Sequence, residues 1–142
     1  MYQILKHAHS GLRWVVLLLL VLALYAAYRS WKGGAQSSKL PLFALIFVHI
    51  QLLIGLVLYF TSPYVSFESG FMKNAMYRFY TVEHFSLMLI AIALITAGYS
   101  IAKRKPNPQA AGRTTFRYYL IGLVLILISI PWPFRNLGAG WF

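Results

Sequence analysis

Four histidines, His7, His9, His49 and His84, are the side chains of this 142-residue sequence best suited to chemistry. Other ligating and catalytic side chains are nearly missing. There is no cysteine, which excludes disulfides, thiolate metal sites, iron–sulfur ligation and covalent attachment of a c-type haem. Asp and Glu together number 2, Glu68 and Glu83, so paired-carboxylate catalysis has almost nothing to work with. Imidazole is left as the strong ligand for a metal, provided that two or more histidines can reach the same one.

The elements that position them follow from composition. Hydrophobic residues make up 60% of the chain and charged residues only 11%, against about 25% in an ordinary soluble domain. Such a chain has too little polar surface to cover itself and reads as an integral membrane protein. Uncharged runs fall at 14–28, 40–67, 84–102 and 118–134. A helix rises about 1.5 Å per residue and must cross about 30 Å of hydrocarbon. The first run, of fifteen residues, is therefore extended backward to take in Arg13 and His9. Pro41 suits a first helical turn, and Pro131 and Pro133 stop the last helix. The expected spans are about 9–30, 41–60, 79–102 and 116–132, joined by connections of roughly ten to eighteen residues. The segment KRKPNPQAAGR is expected to be an irregular loop. Short connections make neighbouring helices antiparallel, so the fold class is all-α, an integral membrane up-down four-helix bundle forming one domain over residues 1–142.

Basic residues set the orientation. Arg29, Lys32, Lys39, Lys103, Arg104, Lys105, Arg113 and Arg117 fall on one side, eight against the five of Lys6, Arg13, Lys73, Arg78 and Arg135. The positive-inside rule puts the richer side in the cytoplasm and both termini outside it. A net charge of +11 distributed between apolar runs suits anionic lipid headgroups, and no nucleic-acid partner is expected. Lys6 and Arg13 ahead of an apolar run with Ala26-Ala27 behind it also resemble a signal peptide; the first span is expected to be retained.

Depth then sorts the histidines. From Arg29 back to His9 is 20 residues and from Lys103 back to His84 is 19, about 30 and 28 Å, so these two lie level. His49, only 10 residues from Lys39, sits near mid-membrane, more than about 10 Å away from them. In a bundle threaded in order, the first and third helices stand on a diagonal. Two imidazoles projecting inward from there can meet one haem iron from opposite faces. His9 and His84 are the expected metal ligands. His7 is the alternative, because it lies about 200° from His9 on the helix and only one of the two can face the core. The face of His9 continues through Arg13, Val16 and Leu20. Gly11, Arg13, Arg78 and Arg135 complete the expected cofactor-binding set, Gly11 as a place for close approach and the arginines as partners for propionates. The competing role for the arginines is snorkelling to headgroups. Zinc is disfavoured because a closed site wants four ligands and a catalytic one three. His49 is expected to make an interhelical hydrogen bond, with a second cofactor or quinone site as the alternative.

HAHSGLRW at the start, HIQLLIGLVLYF in the centre, then YRFYTVEHFSLMLIAIAL and the closing IPWPFR resemble the short bacterial membrane proteins called cytochrome b-like, over nearly the whole chain. More distantly, His9 with Gly11 and Arg13, Gln51 with Gly55, and Tyr77-Arg78 ahead of His84 are similar to one half of heme A synthase. In that enzyme an acidic residue precedes the first histidine, and residues 1–8 here contain none. The resemblance implies heme b and single-electron transfer in a bacterial inner (cytoplasmic) membrane, with a quinol or a respiratory-complex subunit as partner. It points to a carrier or subunit, not a standalone catalyst. The rival readings are a structural or assembly subunit without its own cofactor and, behind both, a haem-modifying enzyme.

Overall fold

The computed structural model describes residues 1–34 and 38–141. Among them there is no strand, and four helices are long and apolar enough to cross a membrane. Helix α1 spans Tyr2–Trp31 and α2 spans Leu40–Thr61. Helix α3 runs without interruption from Ala75 to Ala102, as an α-helical turn Ala75–Arg78, a π-helical turn Phe79–Glu83 and the α-helix His84–Ala102. Helix α4 spans Pro108–Ser129. The expected all-helical four-helix membrane bundle is the fold observed.

Local chemistry sets most of the ends. Asn74 starts α3 by accepting hydrogen bonds at Oδ1 from the amides of Met76 (3.0 Å) and Tyr77 (3.2 Å). Pro41 occupies the first turn of α2, where its missing N–H costs nothing. Helix α4 stops where Ile130 turns extended ahead of Pro131.

The beginning of α4 corrects the sequence reading. Residues 108–113 of the expected irregular loop form its first turns, because Asn107 accepts from the Ala110 amide at 2.8 Å and Pro108 presets the helical φ beside it. The loop after α3 is thereby only 103–107, shorter than the ten-residue minimum expected, and α1 likewise starts at Tyr2 and not at 9.

Around the bundle α1 lies between α2 and α4, α4 lies between α1 and α3, and α2 meets α3 only thinly; α1 and α3 stand on a diagonal. Small residues draw α4 against its neighbours. A Cβ at Gly112 would lie 2.6 Å from the Trp31 amide nitrogen on α1, and one at Gly122 would lie 2.6 Å from Ile95 Cγ1 on α3. Gly98 of α3 packs in the same way onto Tyr118. Such close backbone approach supplies the dispersion contacts that hold helices together where lipid removes the hydrophobic drive. Helix α2 packs along α1 but buries fewer residues: only Ala44 and Val48 on it are buried, and Tyr119 Oη donates to the Pro41 carbonyl at 2.7 Å to tie its beginning to α4. The thin α2–α3 seam leaves room between the helices toward the end where α1 starts.

Candidate cofactor site

Helix α1 buries a stripe at helical spacing, Arg13, Val16, Leu20, Ala23 and Ala27. His9 lies one turn before Arg13 on that stripe and faces the interior, whereas His7 is exposed. On the diagonal helix, His84 directly follows the π-helical turn. A π-turn inserts one extra residue into the α-helical register and so re-aims everything after it. The turn is pinned on both sides. Tyr59 Oη of α2 donates to the Thr81 carbonyl at 3.0 Å, and Thr81 Oγ1 accepts from the Ser66 amide at 3.0 Å.

These two helices bring the rings of His9 and His84 to 6.4 Å between centroids, with their planes 74° apart. His84 is fixed further by its Nδ1, which lies 2.7 Å from the Ser129 carbonyl of α4. A carbonyl can only accept, so Nδ1 carries the proton and Nε2 keeps its lone pair free. His9 Nδ1 is buried without a hydrogen-bond partner among the described residues. The ring packs against Gly55 of α2, where a Cβ would stand 3.1 Å from His9 Cε1, and Gln51 Nε2 donates to the His9 carbonyl at 2.8 Å.

The rings face a cavity of about 170 Å³ among all four helices, lined mostly by apolar side chains such as Val48, Leu52, Phe85, Met88 and Ile126. Polar groups with open valences border it. Besides His9 Nδ1, Gln51 Oε1 and Arg13 Nε are buried with no partner among the described residues. Arg13 is 8% exposed, and its Nη2 donates to the Trp141 carbonyl at 2.6 Å. Its guanidinium also lies 5.3 Å from the ring of Trp14 and 5.7 Å from that of Trp132.

The other expected residues are elsewhere. Arg78 pairs with Glu83 at 2.7 Å, and Arg135 donates to the carbonyls of Ile128 and Ile130 while lying 4.7 Å over Phe79. Neither lines the cavity. Gly11 does not line the cavity, and a Cβ there would meet nothing within 4 Å; the tight glycine contact at the cavity is that of Gly55 with His9. His49 donates from Nδ1 to Leu45 O at 2.7 Å, with Thr96 Oγ1 3.5 Å from its Nε2 across the α2–α3 seam. Gln51, Ser129 and the π-turn are absent from the expected site. Gln51 had a signal, as an uncharged polar residue deep in an apolar span; the other two act through backbone and carry none.

Chemically the arrangement could offer two imidazole donors to one metal. Each ring centre of a metal-bound imidazole lies about 3.1 Å from the metal, a bond of about 2.0 Å plus about 1.1 Å within the ring. Rings on opposite sides of one ion are therefore about 6.3 Å apart, which matches the 6.4 Å between His9 and His84. No cluster of three or more His, Asp or Glu occurs among the described residues, so a tetrahedral protein-ligated site has too few donors. Comparison of the chain with protein families, curated proteins and solved structures finds no match.

Proposed function

We propose that the protein is a membrane b-type cytochrome that holds one haem b between His9 and His84 and carries single electrons. The observation supporting it is the ring spacing of 6.4 Å between two histidines on diagonal helices at the edge of an apolar cavity. Haem b held by His9 and His84 would supply a one-electron couple, and engaging both imidazoles would favour electron transfer over oxygen chemistry. The chain's own residues prepare for it. The Ser129 carbonyl holds the His84 tautomer that offers Nε2. Gly55 makes space for the His9 ring. Arg13 offers a buried cation for a propionate, a role that Arg78 and Arg135 are less placed to share. Apolar walls at the α2–α3 seam, among them Val48, Leu52, Phe85 and Met88, would pack against a flat ring.

The same reading places the protein in a bacterial cytoplasmic membrane with both termini outside and the eight-cation side within, exchanging electrons with quinol or a respiratory-complex subunit. The test is the visible spectrum of detergent-purified protein before and after dithionite, with haem content by pyridine haemochrome. One haem b per chain and a sharp reduced-minus-oxidised band are expected. A colourless protein that takes up no haem would favour the rival reading, a structural or assembly subunit of a larger membrane complex.

A further inference from the structure

Residues 137–141 adopt no regular secondary structure, yet they are tied down over the cavity. Left-handed Asn136 (φ 54°) and Gly138 (φ 75°) fold the chain back after α4. The Leu137 carbonyl accepts from Tyr80 Oη at 3.0 Å, and the Trp141 carbonyl accepts from Arg13 Nη2 at 2.6 Å and Trp14 Nε1 at 3.1 Å. Between these two attachments Gly138 and Ala139 line the cavity at the end where His9 and Tyr2 lie.

The Arg13 attachment is chemically incomplete. A guanidinium is satisfied best by a carboxylate that takes two of its N–H groups side by side. Here a neutral carbonyl takes Nη2, while Nε is buried with no partner among the described residues. Neither acidic side chain reaches it, since Glu83 is engaged by Arg78 and Glu68 is exposed and does not line the cavity. Held by a neutral carbonyl and two indole faces, this buried cation still lacks a charged acceptor, so a carboxylate ligand has an advantage over the carbonyl now in its place.

We propose that residues 137–141 are a strap closing this end of the cavity, and that a carboxylate ligand opens it by replacing the Trp141 carbonyl on Arg13. The carboxylate is a porphyrin propionate or a fatty-acid head. The strap stands on its own contacts and rests on the haem reading only in naming the propionate.

Because the chain has no cysteine, Ala139→Cys creates a single thiol on the partly buried middle of the strap. The full-length, haem-free protein in detergent is labelled with N-ethylmaleimide and followed by intact mass. It is labelled alone, with metal-free protoporphyrin IX, with the porphyrin's dimethyl ester, and with decanoate. Free porphyrin should speed labelling about tenfold, the scale of one charge-assisted hydrogen bond, and the ester should not. Acceleration by decanoate as well assigns the site to carboxylates in general; acceleration by the porphyrin alone assigns it to propionates. Adding Arg13→Gln should give fast labelling without ligand and abolish the response. Tyr80→Phe, which frees the other end and leaves Arg13 intact, should speed labelling while keeping the response to acid. Equal rates with acid and ester, or slow labelling in both released variants, would overturn the strap. A wild type that binds no haem but shows this labelling pattern removes the haem reading alone, and an intact haem spectrum with flat labelling removes the strap alone.

Discussion

Whether His9 can turn its ring toward His84 depends on a missing side chain on the neighbouring helix. At Gly55 a Cβ would lie 3.1 Å from His9 Cε1, tighter than ordinary carbon contact, and His9 is already held by the Gln51 amide at its own carbonyl. Gly55→Ala should therefore displace the ring at a cost of about 1 to 3 kcal/mol, lowering haem occupancy at limiting haem while helix content by circular dichroism is unchanged. Unchanged haem titration would show that the contact at Gly55 does not position the ligand. His49 provides the contrast. Its hydrogen bonds to Leu45 O and toward Thr96 satisfy it within the α2–α3 seam, so a ring of the same kind ten residues along the chain from Lys39 is occupied in packing. The level of His9 and His84 was legible because helical rise is constant, and depth can be counted from charged boundaries. The Ser129 carbonyl and the Trp141 carbonyl were not legible, since every residue has a carbonyl and only the fold selects which one is used.

Helix α3 shows how an element aims a side chain. The π-turn Phe79–Glu83 adds one residue just before His84, and Tyr59 and Ser66 grip it through Thr81. Deleting Val82, which is 38% exposed, should return the turn to α-helical register. That rotates the segment before it relative to His84 by about 100°, so the grip of Tyr59 and Ser66 cannot be kept together with the ring's position. The deletion is expected to lose the visible haem bands while circular dichroism still reports a folded helical protein; full retention of the bands would show that the turn does not aim His84. Nothing in the composition of FYTVE marks a π-turn, and a single inserted residue barely disturbs apolar periodicity. The start of α4 is hidden in the sequence for a related reason. Its first turns, PQAAGR, are polar enough to pass for a loop, and only the Asn107-Pro108 pair carries the start signal.

At the scale of the whole molecule, close packing and looseness are divided between helices. Contacts at Gly98, Gly112 and Gly122 make α4 with α1 and α3 a tight unit, while α2 buries little and leaves the seam that holds the cavity. Gly122→Ala would place a Cβ 2.6 Å from Ile95 Cγ1 and 3.3 Å from the Ala91 carbonyl. Thermal unfolding in detergent should show a loss of about 1 to 3 kcal/mol from the overpacked α3–α4 contact. No loss would mean that the helices separate at negligible cost. The bundle itself was readable from four apolar runs and short connections, because a membrane leaves the backbone few alternatives to helices. The unequal grip on α2 was not, since lipid-facing and protein-facing side chains in such a span are equally apolar.

The central claim is that His9 and His84, and neither His7 nor His49, hold one haem iron between them. The direct measurement is the reduced-minus-oxidised visible spectrum and haem content of four single variants, His7→Ala, His9→Ala, His49→Ala and His84→Ala, purified in parallel. Loss of the low-spin bands is expected in the His9 and His84 variants, with near wild-type spectra in the other two. Wild-type spectra and full haem content in either the His9 or the His84 variant would contradict it.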